Sequence, residues 1–474
     1  MNAASVVAGK TDADRARNDL RRGPDSLREE LLARYEAVRG FSAGLCATLE
    51  PEDYMIQTMA EASPTKWHLA HTSWFFETFV AKPHLSGYRP LNPQYAFLFN
   101  SYYNAAGKMH ARPQRGLISR PTVKETYAYR AHVDATLRQF LETADGRKLE
   151  FLAPLVTLGL NHEQQHQELM LTDIKHAFWM NPLRPVFRER KARDSGSKSA
   201  PFARPLESET RGRMPARCDR PPRDLTGTDS SPRWQSYGEG IHWIGHDGSG
   251  FCFDNEQPRH RVFLEAFSLS SRLVTNGEYL AFMEDGGYRR PEFWLSLGWN
   301  TVAERGWNAP LYWEQRDGGW WMMTLAGMRE VEPGEPVCHV SYFEADAFAR
   351  WAGARLPAEA EWEAASNETP VSGRFAEAGD FHPAPSTGPA QPGGLDQMFG
   401  EVWQWTQSAY SPYPGYRAAA GALGEYNGKF MCNQYVLRGA SCATPGTHAR
   451  RTYRNFFPPD ARWQFMGIRL AKDG

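Results

Sequence analysis

Residues 189–232 divide this chain in two. The stretch ERKARDSGSKSAPFARPLESETRGRMPARCDRPPRDLTGTDSSP is rich in Arg, Pro, Ser and Gly and nearly free of large apolar side chains. It cannot bury enough apolar surface to offset the entropy of ordering its backbone, so it reads as a flexible linker. With 474 residues in all, two or three domains of roughly 100–200 residues are expected. Residues 1–24 read as a loose tail, leaving 25–188 and 233–474 as the folded parts.

The two parts differ in texture. In the first, Ser26 and Glu29 have capping-box spacing ahead of Leu27, Leu31, Tyr35 and Val38 on one helix face. Ser63-Pro64 reads as an N-cap with Pro at the first helical position, opening a helix through Trp67, His71, Trp74 and Phe75. Thr122 and Glu125 repeat the capping box, and Lys148 to Phe178 supplies a last long helix. Four such helices predict a four-helix bundle. In the second part, short strand-like runs (Ile241–Ile244, Val262–Leu264, Val436–Arg438, Gly467–Leu470) lie among many Gly, Pro and Trp residues. Helical stretches are expected at Thr275–Glu284, Tyr342–Ala352 and Ala358–Ala365. The expected fold class is therefore α plus α+β, the second domain rich in irregular structure.

Lys and Arg (54) nearly cancel Asp and Glu (55), giving a net charge of −1, which argues against a sequence-independent nucleic-acid binder. No apolar run approaches the roughly 20 residues of a membrane span. Met1 to Arg17 has no apolar core of a secretory signal, so a cytoplasmic protein is expected. The six cysteines lack C-x-x-C spacing and imply neither a thiolate metal cluster nor a disulfide framework.

Two His pairs stand at i,i+4. His242 and His246 lie in a strand and turn, where that spacing is too long to share an ion. His162 and His166 lie in NHEQQHQELML, inside a helix, where both imidazoles share one face. The same residues satisfy H-E-x-x-H, the pattern of a zinc peptidase in which Glu163 would be the general base. The metzincin extension is absent, because Leu169 and Thr172 stand where Gly and His are required. A third ligand must come from elsewhere, and His71 in TKWHLAHTSWFFE is the best candidate. Three neutral imidazoles suit Zn, Cu, Fe or Ni, and spacing alone does not choose.

Four segments, SPTKWHLAH, FNSYYNAAG, ARPQRGLISRPTV and NHEQQHQELML, resemble the DinB-like domain of the ergothioneine-biosynthesis sulfoxide synthases (EgtB type, hercynine oxygenases). VTNGEYLAF, RLPAEAEWEAA, GEVWQWTQS, VLRGASC and WQFMGIRL resemble the formylglycine-generating-enzyme/sulfatase-modifying fold, which is C-type-lectin-like. The two-domain order matches that family over about residues 25–474. The resemblance implies non-haem Fe(II) held by His71, His162 and His166. It also implies an O2-dependent reaction joining the thiol of cysteine or γ-glutamylcysteine to C2 of the hercynine imidazole, with oxidation of sulfur to the sulfoxide. Tyr102 and Tyr103 resemble paired tyrosines that supply a proton or hydrogen atom. Arg112 and Arg115 resemble a pair that binds the carboxylates of the sulfur donor. Gln165 resembles the residue that hydrogen-bonds the hercynine imidazole. Asn455, Phe456 and Phe457 match the segment that closes the site, where aromatic faces suit a quaternary ammonium. Phe457 stands where the γ-glutamylcysteine-dependent members have an acid, which makes free cysteine at least as good a candidate donor.

Formylglycine-generating activity is disfavoured, because Cys442 stands alone where that chemistry needs a close cysteine pair. An ovothiol-type 5-histidylcysteine sulfoxide synthase and a zinc-dependent hydrolase or thiol transferase are the remaining alternatives.

Overall fold

The computed structural model describes residues 24–189, 232–388, 394–419 and 421–474. The expected tail, apart from Pro24, and the expected linker, apart from its two end residues, lie outside the described residues.

Four long helices build the first domain: α1 (Pro24–Leu45), α2 (Thr65–Phe76), α3 (Val123–Thr143) and α4 (Gly146–Met180). Helix α1 starts two residues before Ser26, with Pro at its first position, so the expected Ser26/Glu29 box does not cap it. The N-cap of α2 falls on Pro64 rather than Ser63 and makes no side-chain cap bond. Ser63 is used otherwise: its N–H donates to Asp173 Oδ2 (2.8 Å) and its hydroxyl accepts from Arg115 (2.9 Å). Thr122 and Glu125 do form the reciprocal capping box of α3, and Asp145 caps α4.

All twelve residues of α2 are buried, as expected of a helix surrounded on every side. It continues through a π turn, Glu77–Ala81, a feature common near functional sites. Helix α4 has 35 residues, about 52 Å at 1.5 Å per residue. Its first half contributes Leu149, Leu152, Val156 and Leu160 to the bundle core. Its second half places Met170, Leu171, Ile174 and Phe178 in the core of the other domain. One helix therefore belongs to both cores, and its midpoint lies at the domain boundary.

The second domain contains β1 (Trp234–Tyr237), β2 (Gly240–Ile244), β3 (His260–Leu264), β4 (Phe267–Ser270), α5 (Asn276–Glu284), α6 (Ser296–Arg305), β5 (Trp313–Arg316), β6 (Gly319–Thr324), β7 (Gly327–Glu330), α7 (Tyr342–Trp351), α8 (Glu359–Ser366), β8 (Trp403–Ala409), β9 (Tyr435–Gly439), β10 (Asn455–Phe457), β11 (Met466–Gly467) and β12 (Ala471–Asp473). They form small sheets in the orders β1-β4-β12, β10-β9-β8-β11, β2-β3 and β5-β6-β7, antiparallel except for β8 with β11. The expected strand Gly467–Leu470 is not formed. After Gly467 the chain leaves β8, its Ile468 and Leu470 carbonyls accept from Val274 and Ser270, and it joins β4 only at Ala471. Arg469, between them, is fully buried and bonded to Gln404 Oε1 (2.7 Å) and the Ser270 carbonyl (2.7 Å). Among the described residues no helix is long and apolar enough to cross a membrane. The five described cysteines are free.

Candidate metal centre and substrate cavities

Successive residues of α4 at its midpoint serve three faces. Asn161, Gln164, Gln165 and Glu168 turn to the second domain. Asn161 Oδ1 meets His448 Nδ1 (2.9 Å), Gln164 donates to Thr447 (2.6 Å), and Gln165 donates to the Tyr453 hydroxyl (2.6 Å). Glu168 accepts from Trp403 Nε1 (2.8 Å), Ser441 (2.5 Å) and Thr444 (2.8 Å). Glu163 and Gln167 turn to α1. Between these faces, His162 and His166 point toward His71 on α2.

The three imidazoles converge. His162 Nε2 lies 3.3 Å from His71 Nε2 and 3.2 Å from His166 Nε2. All three rings are buried, and burial drives each pKa down, that of His162 to about 3, so they are neutral near pH 7. A divalent ion with nitrogen ligands at about 2.1 Å holds neighbouring nitrogens roughly 3.0–3.4 Å apart, depending on the angle between them. The observed spacing fits. His71 Nδ1 is 2.6 Å from the Phe99 carbonyl, which can only accept, so the proton is on Nδ1 and the Nε2 lone pair faces the cluster. His71 is also clamped between the rings of Trp67 (4.5 Å) and Trp74 (5.4 Å), both stacked on it. Among the described residues this is the one group of three or more His, Cys, Asp or Glu placed to hold a metal ion.

Glu163 does not face this centre. Its carboxylate accepts from Arg39 (2.8 Å), Arg130 (2.5 Å) and Ser42 (2.6 Å). Burial raises its pKa, but Arg130 and Arg39 outweigh that and hold it down at about 2. With both oxygens committed to Arg39, Ser42 and Arg130, Glu163 cannot act as the general base of a zinc peptidase. His242 and His246 do not pair either: His242 lies on β2, and His246 beyond its end accepts from the Gly248 N–H (3.0 Å).

Two cavities meet at Gln165 and Tyr426. The larger, about 670 Å³, is walled by His162, Phe75, Tyr103, Phe253, Gln165 and Tyr426. The smaller, about 210 Å³, is walled by Tyr102, Arg112, Asn455, Phe456, Phe457 and the same Gln165 and Tyr426. The tandem tyrosines thus separate. Tyr103 is buried, stacked on Tyr426 at 6.3 Å and packed against Trp74, and burial raises its pKa well above 10. Tyr102 packs edge-on against Phe430 (4.8 Å), and Arg112 donates to its hydroxyl oxygen.

The two arginines separate as well. Arg112 lines the smaller cavity, whereas Arg115 is buried under Trp67, its guanidinium 3.4 Å from the ring and bonded to Ser63 (2.9 Å) and Ser101 (3.0 Å). Burial lowers the pKa of Arg115 to about 8. Gln165 uses both ends of its amide, donating to Tyr453 and accepting from Tyr426 (3.2 Å). Phe456 stacks on Tyr410 (4.0 Å, 10° between planes), and Phe457 meets Trp463 edge-on (5.6 Å).

Three residues that touch these side chains carry no assignment in the sequence reading. Tyr426 and Tyr453 reach Gln165 from 261 and 288 residues away, and no local pattern marks them. His68, three residues before His71, contacts His166 and carries the one available signal, its i,i+3 spacing on the helix of His71.

Residues 239–474 match the sulfatase-modifying factor enzyme 1-like domain. The hercynine oxygenase of Mycolicibacterium smegmatis is 31% identical over 437 residues, covering 87% of this chain and 91% of that protein. The chain belongs to the hercynine oxygenase family. The hercynine oxygenase of Mycobacterium tuberculosis is 38% identical over 240 residues, and there the match spans only 56% of the relative's length. The formylglycine-generating enzyme of Streptomyces coelicolor is 28% identical over 268 residues, 48% of this chain and 84% of that one. The hercynine oxygenase match takes in both the helical domain with its three histidines and the second domain that walls the cavities.

Proposed function

We propose that this chain is a non-haem Fe(II)- and O2-dependent sulfoxide synthase acting on hercynine. The reading rests on one observation above all: three neutral imidazoles converge within a chain of the hercynine oxygenase family, and one of them, His162, opens onto a cavity. The net reaction consumes the thiol hydrogen, the hydrogen on imidazole C2 and O2. It forms the C–S bond and the S=O bond and releases one water. Fe(II), when bound by His71, His162 and His166, supplies the one-electron chemistry toward O2 that zinc lacks.

The protein's own groups do the rest. Arg112 brings a guanidinium to the wall of the smaller cavity, where it suits the carboxylate of an amino-acid thiol. Because Arg112 donates to the Tyr102 oxygen, the hydroxyl hydrogen of Tyr102 is left to be given up. Tyr103, neutral and on the His162 side, is the second phenol in reach of the reaction. A trimethylammonium group donates no hydrogen bonds and is best held by aromatic faces, which Phe456 and Phe457 contribute.

The double replacement of Tyr102 and Tyr103 by Phe should leave metal binding intact and divert the thiol to simple oxidation. Undiminished sulfoxide synthase activity in that variant removes the tyrosines from the mechanism. The apolar Phe457 wall favours cysteine over γ-glutamylcysteine. The test is an aerobic incubation of Fe(II)-loaded protein with hercynine and each donor, with products read by mass spectrometry. Phe457→Asp is expected to move the ratio of kcat/KM values toward γ-glutamylcysteine by about tenfold or more, the scale of one charged contact. No adduct with either donor, from protein shown to hold iron, defeats the proposal; an adduct with plain histidine instead favours the ovothiol-type reaction.

A further inference from the structure

Behind the metal centre, His68 lies between His166 and Asp173. Its Nδ1 is 2.8 Å from His166 Nδ1, and its Nε2 is 3.1 Å from Asp173 Oδ2. The same Oδ2 accepts the Ser63 N–H at 2.8 Å. All three side chains are buried, so water does not compete for these contacts.

With both imidazoles in the neutral form, each carrying one N–H, the hydrogen positions follow by elimination. A carboxylate oxygen accepts, so the His68 proton sits on Nε2 and its Nδ1 carries a lone pair. The short contact between the two Nδ1 atoms then needs one hydrogen, and only His166 can supply it. His166 is thereby held with its proton on Nδ1 and its Nε2 lone pair turned toward His162 and His71. We infer that Asp173 and His68 are positioning residues, a relay that fixes the tautomer and ring orientation of His166 for metal binding. The Phe99 carbonyl does the same for His71 by a different route. Asp173 lies seven residues after His166 on α4, and His68 three before His71 on α2, so the two ligand helices hold each other in register through this contact.

The inference rests on the three-histidine face holding a divalent ion, and the test separates the two. Fe(II) and Co(II) are titrated anaerobically into metal-free parent protein, His68→Phe and His68→Asn, with the unfolding temperature of each metal-free form measured alongside. The Phe ring fills the space but offers no acceptor, whereas the Asn Oδ1 can stand where Nδ1 stood. His68→Phe is expected to bind both ions about 10–100-fold more weakly, the usual effect of losing an outer partner of a ligand. His68→Asn should recover most of that affinity. A His68→Phe protein that binds as tightly as the parent, or a His68→Asn protein as weak as His68→Phe, overturns the relay. Failure of the parent to bind either ion overturns the metal centre itself. Should His68→Phe not fold, 15N spectra of the histidine-labelled, metal-free parent read the tautomer directly: a proton on His166 Nδ1 supports the relay, and one on Nε2 refutes it.

Discussion

His162→Ala is expected to abolish iron loading. The parent is expected to take up one Fe(II) per chain, and the variant should retain almost none after desalting, because His162 Nε2 is the atom close to both other imidazoles. The loss should exceed the roughly 10–100-fold that removal of an outer partner brings. Metal analysis of the two proteins decides it, and an iron-replete His162→Ala protein would rule out the proposed ligand set. A pH effect accompanies this. Burial lowers the pKa values of His71, His162 and His166 in the fold, that of His162 to about 3, while in the unfolded chain each titrates near about 6.5. The unfolded state therefore binds more protons between those values. Stability of the metal-free fold is present in full above about pH 6.5 and is lost as the pH falls toward the folded-state values. The unfolding temperature of the metal-free protein should drop between about pH 7 and pH 5, and less steeply in His162→Ala.

Glu163→Gln carries the largest expected effect on stability. The carboxylate lies fully buried between Arg39 and Arg130, whose side chains are only 2% and 4% exposed. Removing its charge leaves two guanidinium groups with less compensation in a place water cannot reach. Breaking one side of such a pair costs about 3–5 kcal/mol. Denaturant unfolding of the metal-free forms measures it. A variant as stable as the parent would show that Arg39 and Arg130 do not depend on this carboxylate; a strongly destabilised one fixes it as part of the frame that holds α4 against α1 and α3.

Much of the centre was legible because it is local. His162 and His166 share a helix face by spacing alone, and Thr122 with Glu125 marks the start of α3 by its capping-box pattern. Whatever depends on distant partners was not. The H-E-x-x-H pattern places Glu163 beside His162 but says nothing of Arg39, 124 residues away, whose guanidinium holds the carboxylate away from the three imidazoles. Arg112 and Arg115 look alike in HARPQR, yet the three-residue step sends one to a cavity wall and the other beneath Trp67. The resemblance assigns Gln165 to an imidazole of the substrate, but in the fold Tyr426 and Tyr453 occupy both ends of its amide. The run Gly467–Leu470 has the composition of a strand, and only the passage from one sheet to the next explains why it is not one.

The most direct test of the account is a single-turnover incubation of Fe(II)-loaded protein with hercynine and cysteine under 18O2, with the product read by mass spectrometry. The account predicts one hercynyl–cysteine sulfoxide, two mass units heavier than the product made in ordinary O2, and none from protein freed of iron. An adduct without the label, or the same yield from metal-free or His162→Ala protein, would contradict it.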